Sequence, residues 1–340
     1  MNRLLISIIM PTYNRANLIK RAIDSALREC LPGDEIIVVD DGSTDDTERI
    51  LSVYKEQIRY NKISNSGAGA ARNFGIRNSH NPLVAFLDSD DEWMPDKLSL
   101  QRAFMEARPD VLFCFTDFAV TFEDGGEAHN FLVNWHKDPR PWDEILGPGE
   151  HYSSICPLPA GVADFKFYVG DLYSSMLRTP FVNTDTILVR RHEAGTALNF
   201  AEDLRWGEDW ACYSQLAKKG PAAYLDRETA WQHGHSGERL TDTNMLDGVT
   251  TRIAIMERVW GSDAEFLKIN GQTYNRLLRE QRLLKVNELI SLGRTTEARL
   301  ELCQITSPPA VHRILASLPG SIVRALMTTR RLLLSKLRPK

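Results

Sequence analysis

Three groups of carboxylates in this chain have the spacing to do chemistry. The apolar run Val84-Ala-Phe-Leu ends in Asp88-Ser89-Asp90-Asp91, the run Ile36-Ile-Val-Val ends in Asp40-Asp41, and Gly207 is followed by Glu208-Asp209. Asp88 and Asp90 stand two residues apart, so in an extended chain their side chains point the same way and can share one cation. Hard oxygen ligands suit Mg²⁺ or Mn²⁺, ions that commonly also hold substrate phosphates. The same residue types also make solvated turns and helix caps, and Glu208-Asp209 would favour any helix N-terminus.

The elements that must position these acids follow from the apolar periodicity. Residues 4–10 read as a strand, 16–29 as an amphipathic helix and Glu35–Val39 as a second strand. Thr44-Asp-Asp-Thr-Glu48 then supplies capping and N-terminal acidic residues for another helix. A short strand near 58–63 precedes Gly67-Ala-Gly-Ala-Ala-Arg72-Asn73, a small-residue helix that lets backbones approach closely. Strand 83–87 ends in the acidic tip. Such alternation predicts an α/β fold with a largely parallel sheet flanked by helices, whose ligands bind beyond the carboxyl ends of the strands. Val111–Phe115 and Asn183–Arg190 read as further strands, 123–170 as a long Gly-, Pro-, Trp- and His-rich excursion, and 202–219 as a turn and a helix. From about 245 onward the pattern is wholly helical, with a turn at Gly293.

Composition bounds the class. At 340 residues the chain has room for about two domains. Residues 302–340 hold seven basic side chains and no acid, so with a net charge of −4 the remainder carries −11, which argues against nucleic acid as a partner. Five scattered cysteines without a C-x-x-C pair point to reduced thiols and a cytoplasmic setting rather than a disulfide or zinc framework. No apolar run reaches the ~18–20 residues that span a bilayer. The N-terminal apolar stretch runs into Pro11-Thr-Tyr-Asn-Arg15 with no small-residue cleavage site, which favours a first strand over a signal peptide.

Four segments, in order, resemble family 2 glycosyltransferases: Ser7-Ile-Ile-Met-Pro11-Thr-Tyr13-Asn14-Arg15, Ile36-Ile-Val-Val-Asp40-Asp41-Gly-Ser43-Thr-Asp45, Gly69-Ala-Ala-Arg72-Asn73-Phe-Gly75, and Phe86-Leu-Asp88-Ser89-Asp90-Asp91 with Met94-Pro95-Asp96. The resemblance continues more loosely to about residue 240. It implies a GT-A fold, Rossmann-like, with an α-helical C-terminal extension. Residues 1–115 would form the nucleotide-sugar half, 116–244 the acceptor half, and 245–340 the extension. It also implies an inverting, metal-dependent hexosyl- or N-acetylhexosaminyltransferase of surface polysaccharide or glycan assembly.

By the same resemblance Tyr13, after Pro11, stacks a uracil whose ring N–H Asp41 accepts. Asn14, Arg15 and Arg72 complete the nucleotide site. Asp88 and Asp90 match the family's D-x-D motif, with Asp90 the direct ligand of Mn²⁺ or Mg²⁺ and Asp88 nearer the ribose or the metal's water shell. Asp91 is read as a cap for the helix after Pro95. Glu208-Asp209 matches the E-D motif, with Asp209 the general base and Glu208 orienting the acceptor. Trp231-Gln-His233-Gly-His235-Ser236 falls where many members carry Tyr-Arg-x-His-x-x-Ser. Trp and Gln replace the usual Tyr and Arg, two histidines compete for one place, and His233 is favoured for the metal or diphosphate.

Two other classes share parts of this pattern. A non-catalytic binder on a decayed GT-A domain would be expected to have lost Asp88, Asp90 or Asp209, and all are present. A sugar nucleotidyltransferase would want a Gly-rich loop with a basic residue where this chain has Pro11-Thr-Tyr-Asn-Arg15. Donor sugar and acceptor, a glycan or a lipid-linked one, are expected to be selected by 116–180. The basic, apolar stretch 311–338 has the composition of a helix lying on an anionic membrane surface, here the cytoplasmic face of the inner membrane.

Overall fold

The computed structural model describes residues 3–235 and 244–323, in two compact units, Met1–Glu238 and Arg239–Lys340. The first unit is built on one sheet of 11 strands: β1 (Ile6–Thr12), β2 (Glu35–Asp40), β3 (Arg59–Lys62), β4 (Leu83–Phe86), β5 (Glu92–Trp93), β6 (Phe113–Thr121), β7 (Glu127–Ala128), β8 (Glu150–His151), β9 (Lys166–Gly170), β10 (Leu188–Arg190) and β11 (Ala222–His233). Its main order is β3-β2-β1-β4-β10-β6-β11-β9-β8, with β5 against β11 and β7 against β6. The helices are α1 (Ile19–Glu29), α2 (Thr47–Leu51), α3 (Ala68–Arg77), α4 (Lys97–Ala107), the short α5 (Phe131–His136), α6 (Trp142–Leu146), α7 (Tyr173–Met176) and α8 (Arg191–Ala194), and α9 (Glu208–Lys219).

Strands β1, β2 and β4 are continuous apolar runs because they are covered on both faces, as interior parallel strands are. Ile8, Ile9, Ile37, Val38, Val84 and Phe86 have no exposed surface. Pairings β3-β2-β1-β4 are all parallel. Strand β10 is antiparallel to both β4 and β6, and β11 is parallel to β6. Two reversals restore direction, so β1, β2, β4, β6 and β11 all end at one edge of the sheet. The antiparallel β10 begins at that edge, which brings the 3-10 turn Thr184–Thr186 there as well. The sheet is therefore mixed but mostly parallel, as the alternating pattern predicts.

Two expected elements differ in length. Residues 183–190 divide into that 3-10 turn and a three-residue strand. The strand at Val111–Phe115 starts later and runs on to Thr121, because β11 extends beside it. Strand β11 itself escapes the period-2 pattern: its register shifts between Leu225 and Glu228 and again before Ala230, so alternation breaks in mid-strand.

The second unit is helical throughout its described residues: α10 (Met245–Met256), a π-helical turn, the long α11 (Ala264–Ser291), α12 (Thr295–Leu302) and α13 (Ala310–Ser317). Gly293, at φ +71°, makes the tight turn into α12. Val286, Leu289, Ile290, Ala298 and Leu302 form its core, and Arg282 ties Glu257 to Glu301. Among the described residues no helix is long and apolar enough to cross a membrane. Most of the basic stretch 311–338 lies outside the described residues.

Helix α3 packs on β1 and β2 through its small residues. A methyl group on Gly75 would lie 2.4 Å from Ile9 Cγ2 and 3.1 Å from Ile9 Cγ1, far inside contact distance. Gly75→Ala is therefore expected to lower the unfolding free energy by about 1–3 kcal/mol, the usual cost of overpacking a filled core, measured by urea denaturation.

Candidate active site

The strand ends collected at one sheet edge bring the acidic tip of β4 beside residues from four other segments. Asp88 donates its backbone N–H to Asp185 Oδ1 at 2.7 Å, and its own Oδ1 accepts from Arg72 Nη2 at 2.7 Å. Asp90 Oδ2 accepts from Arg15 Nε at 3.1 Å and lies 3.0 Å from His235 Nε2. Arg21 donates to the Asp90 carbonyl. Burial alone would raise the Asp90 carboxyl, but Arg15 and His235 hold it below the usual range. It is thus ionised, and His235 Nε2 carries the shared hydrogen.

Asp91 is not the expected helix cap. Glu29 of α1 takes that place, accepting from the N–H groups of Asp96 and Leu98 at 3.0 Å each. Asp91 is instead buried, accepting from the His233 N–H at 2.9 Å. One carboxylate oxygen from each of Asp88, Asp91 and Asp185 lies within 4.8 Å of the others. Burial first, then neighbouring acids, push Asp91 well above the usual range and Asp185 up to about 7. Both shifts act against three full charges on the group.

The outer acids suit a divalent cation: Asp88 and Asp90 side chains are 30% and 22% exposed, so both reach solvent, and their carboxylate oxygens are donors of the kind Mn²⁺ or Mg²⁺ takes. Of the two histidines, His235 reaches Asp90, and His233 does not. His233 is the last residue of β11, lies beside Trp231 with ring centroids 6.1 Å apart, and places Nε2 3.5 Å from Glu92. His235 comes after Gly234, whose N–H donates to the Thr121 carbonyl at 2.6 Å.

The nucleotide-site candidates lie at the ends of β1 and β2. Pro11 is buried inside β1, opposite Val39, while the Tyr13 side chain that follows is 42% exposed, as a stacking surface requires. Asn14, at φ +50°, joins the two loops: its N–H donates to Ser43 Oγ at 2.9 Å and its Oδ1 accepts from the Thr44 N–H at 2.8 Å. Asp41 accepts the N–H groups of Ser66 at 2.7 Å and Gly67 at 2.8 Å, just ahead of α3. Each of its oxygens keeps a second lone pair. Burial raises its carboxyl despite those two bonds.

Arg72 sits differently from a nucleotide contact. Its side chain is 4% exposed, with Nη2 on Asp88 and Nη1 on Glu208 Oε1, each at 2.7 Å, and it lies 5.2 Å from the centre of the Phe200 ring. The guanidinium fork therefore spans two carboxylates that stand 120 residues apart in the chain. Glu208 and Asp209 open α9 after Gly207, which takes φ +76°, a conformation that a side chain would strain. Asp209 Oδ1 accepts from the Trp210 N–H at 2.7 Å. Burial, followed by the charge of Asp209, pushes Glu208 up to about 7 against the pull of Arg72. Asp209 is raised by burial, and Asp88 adds to the rise while Arg72 opposes it.

Asp185 has no counterpart among the sequence expectations. Its signal is an acid ahead of the apolar run Ile187–Val189 rather than behind one, because β10 enters the shared edge where the other strands leave it.

The profile of Glycosyl transferase family 2 matches residues 7–151. A Rickettsia felis protein named an uncharacterized glycosyltransferase is 30% identical over 66% of this chain and 32% of its own length, so the chain spans about a third of that relative. The putative teichuronic acid biosynthesis glycosyltransferase TuaG of Bacillus subtilis is 31% identical over 65% of this chain and 75% of its own length. The chain is also similar in fold to S. aureus TarS 1–349 in complex with UDP-GlcNAc, with a TM-score of 0.55 at 16% identity, covering 97% of this chain and 92% of that one.

The electrostatics of Glu208 give a signed expectation. Its folded-state value of about 7 exceeds the ordinary 4.5, so between those values the folded protein binds more protons than the unfolded one. Glu208 therefore costs stability progressively as pH rises from about 4.5 to about 7. In urea denaturation across pH 4–8, Glu208→Gln should gain stability relative to the parent as pH rises through that window.

Proposed function

The chain belongs to glycosyl transferase family 2, and on that premise we propose an inverting, metal-dependent glycosyltransferase that moves a sugar from a UDP-sugar to a hydroxyl of a glycan or lipid-linked acceptor. The observation that carries the proposal is the Arg72 bridge, which joins Asp88 at the donor-side strand tip to Glu208 beside a candidate base. Donor seat and base then belong to one site, as direct displacement at an anomeric carbon requires.

In this reading the Tyr13 ring stacks the uracil and Asp41 accepts its ring N–H with a remaining lone pair. Asp88 and Asp90 hold the divalent cation, which when bound supplies Lewis-acid stabilisation of the diphosphate as it leaves. Arg15, already at Asp90, adds positive charge where the leaving group becomes more negative, and His235 lies within hydrogen-bond distance of the same carboxylate. On the opposite side of the sugar ring, Asp209 takes the acceptor hydroxyl proton as that oxygen bonds to the anomeric carbon and the carbon–phosphate oxygen bond breaks. Its raised proton affinity suits this role. Glu208 acts through Arg72 to keep Asp209 and the β4 tip in register.

The proposed division of labour is nucleotide sugar on 1–115, acceptor on 116–244 and a helical extension on 245–340. The transferred group is a hexosyl or N-acetylhexosaminyl unit. A role in surface polysaccharide assembly is supported by the likeness to TuaG. The setting is the cytoplasm, with peripheral contact at the inner membrane through 311–338.

The test is transfer and UDP release with a panel of UDP-sugars in Mn²⁺. Asp209→Asn should lower kcat by about 10²–10⁴, the range of a general base, while UDP still binds in calorimetry. Asp90→Ala should instead lose Mn²⁺-dependent UDP binding. Full transfer by Asp209→Asn, or unaltered UDP binding by Asp90→Ala, would contradict the assigned roles.

A further inference from the structure

Behind the carboxylates at the β4 tip lies a fully buried polar group that the proposed reaction does not use. Lys97, at the start of α4, and Gln101, one turn on, have no exposed surface. The Lys97 ammonium lies 4.6 Å from the centre of the Trp93 ring and donates to Gln101 Oε1. Gln101 Nε2 donates to the Thr186 carbonyl at 2.7 Å, and Trp93 Nε1 donates to the Asp185 carbonyl at 2.8 Å. Side chains of β5 and α4 thus grip two successive carbonyls of one 3-10 turn. The Asp185 carboxylate in that turn accepts the Asp88 backbone N–H at 2.7 Å.

A buried ammonium costs more than an apolar side chain of the same length, and here its hydrogen-bond partner is a neutral amide. Burial pulls Lys97 down to about 8, while Cys114 of β6, Asp185 of the turn and Glu29 of α1 favour its charged form. Methionine would fill much the same space without that cost. Packing alone therefore gives no reason for a lysine. Its placement does: one charge lies over Trp93 and fixes which end of the Gln101 amide faces Thr186.

We propose that Lys97 is a positioning residue for the donor seat: through Trp93 and Gln101 it fixes the turn Thr184–Thr186 and so holds Asp185 against the backbone of Asp88. The inference rests on reading Asp88 and Asp90 as the seat of a divalent cation and a diphosphate. Lys97 touches neither, and acts on Asp88 through three successive contacts.

The experiment compares the parent, Lys97→Met and Trp93→Phe by calorimetry with UDP, in Mn²⁺ and in EDTA, alongside urea denaturation. Lys97→Met is expected to keep or raise folding stability while its Kd for UDP in Mn²⁺ rises about tenfold or more, the usual effect of losing a residue behind a metal ligand. Its affinity in EDTA should stay at the parent value. Trp93→Phe, which keeps an aromatic ring and loses the indole N–H to Asp185, should change in the same direction, and it carries the test should Lys97→Met not fold. A parent that shows no Mn²⁺-dependent UDP binding overturns the seat itself. A parent that binds, with variants within twofold of it in Mn²⁺, overturns only the role of Lys97. So does a loss of affinity that is equal in EDTA.

Discussion

A guanidinium taken out of water must find partners for its charge inside the protein, and Arg72 finds them in two acids from distant parts of the chain. Asp88 follows β4 and Glu208 begins α9, and a single planar fork takes both at 2.7 Å. Removing either acid would leave the buried cation half-compensated, and removing Arg72 would leave two acids without the cation between them. The small residues before it are part of the same constraint. A methyl group at Gly69 would meet the Glu208 side chain at 3.3 Å, so α3 approaches α9 closely because nothing larger stands there.

Around this bridge the site manages an excess of negative charge in three ways. Arg72, Arg15 and His235 compensate the outer acids, Asp88 and Asp90, which stay open to solvent. The inner acids, Asp91 and Asp185, are deeper and hold on to protons. Glu208 and Asp209 fall between, both raised by burial and both within the influence of Arg72. The acids most accessible to a ligand are thus the ones with cationic partners, and those that fix the backbone are the ones whose carboxyls burial raises. That grading follows from depth below one sheet edge.

Much of the first unit was legible in the sequence because its strands are short apolar runs closed by polar residues, as Ile36–Asp41 and Val84–Asp91 are. The second unit was legible as helices with a turn at Gly293. What local patterns could not carry was contact across the chain. Nothing near Arg72 announces that its partners are Asp88 and Glu208, and the family resemblance pointed to a nucleotide contact instead. Asp185 was missed because it leads a strand into the shared edge. Strand β11 was missed because bulges interrupt its alternation, and the contest between His233 and His235 turned on where that strand stops. Asp91 looked like a cap because a helix follows it, yet Glu29, brought in from α1, has that place.

Asp88 and Glu208 are coupled energetically through Arg72. A double-mutant cycle of Asp88→Asn and Glu208→Gln on the urea unfolding free energy at pH 8, where Glu208 is ionised, measures this directly. The double variant is expected to be less stable than the sum of the two single effects by about 1 kcal/mol or more, because only then does the buried guanidinium lose both partners. Additivity to within about 0.5 kcal/mol would contradict it.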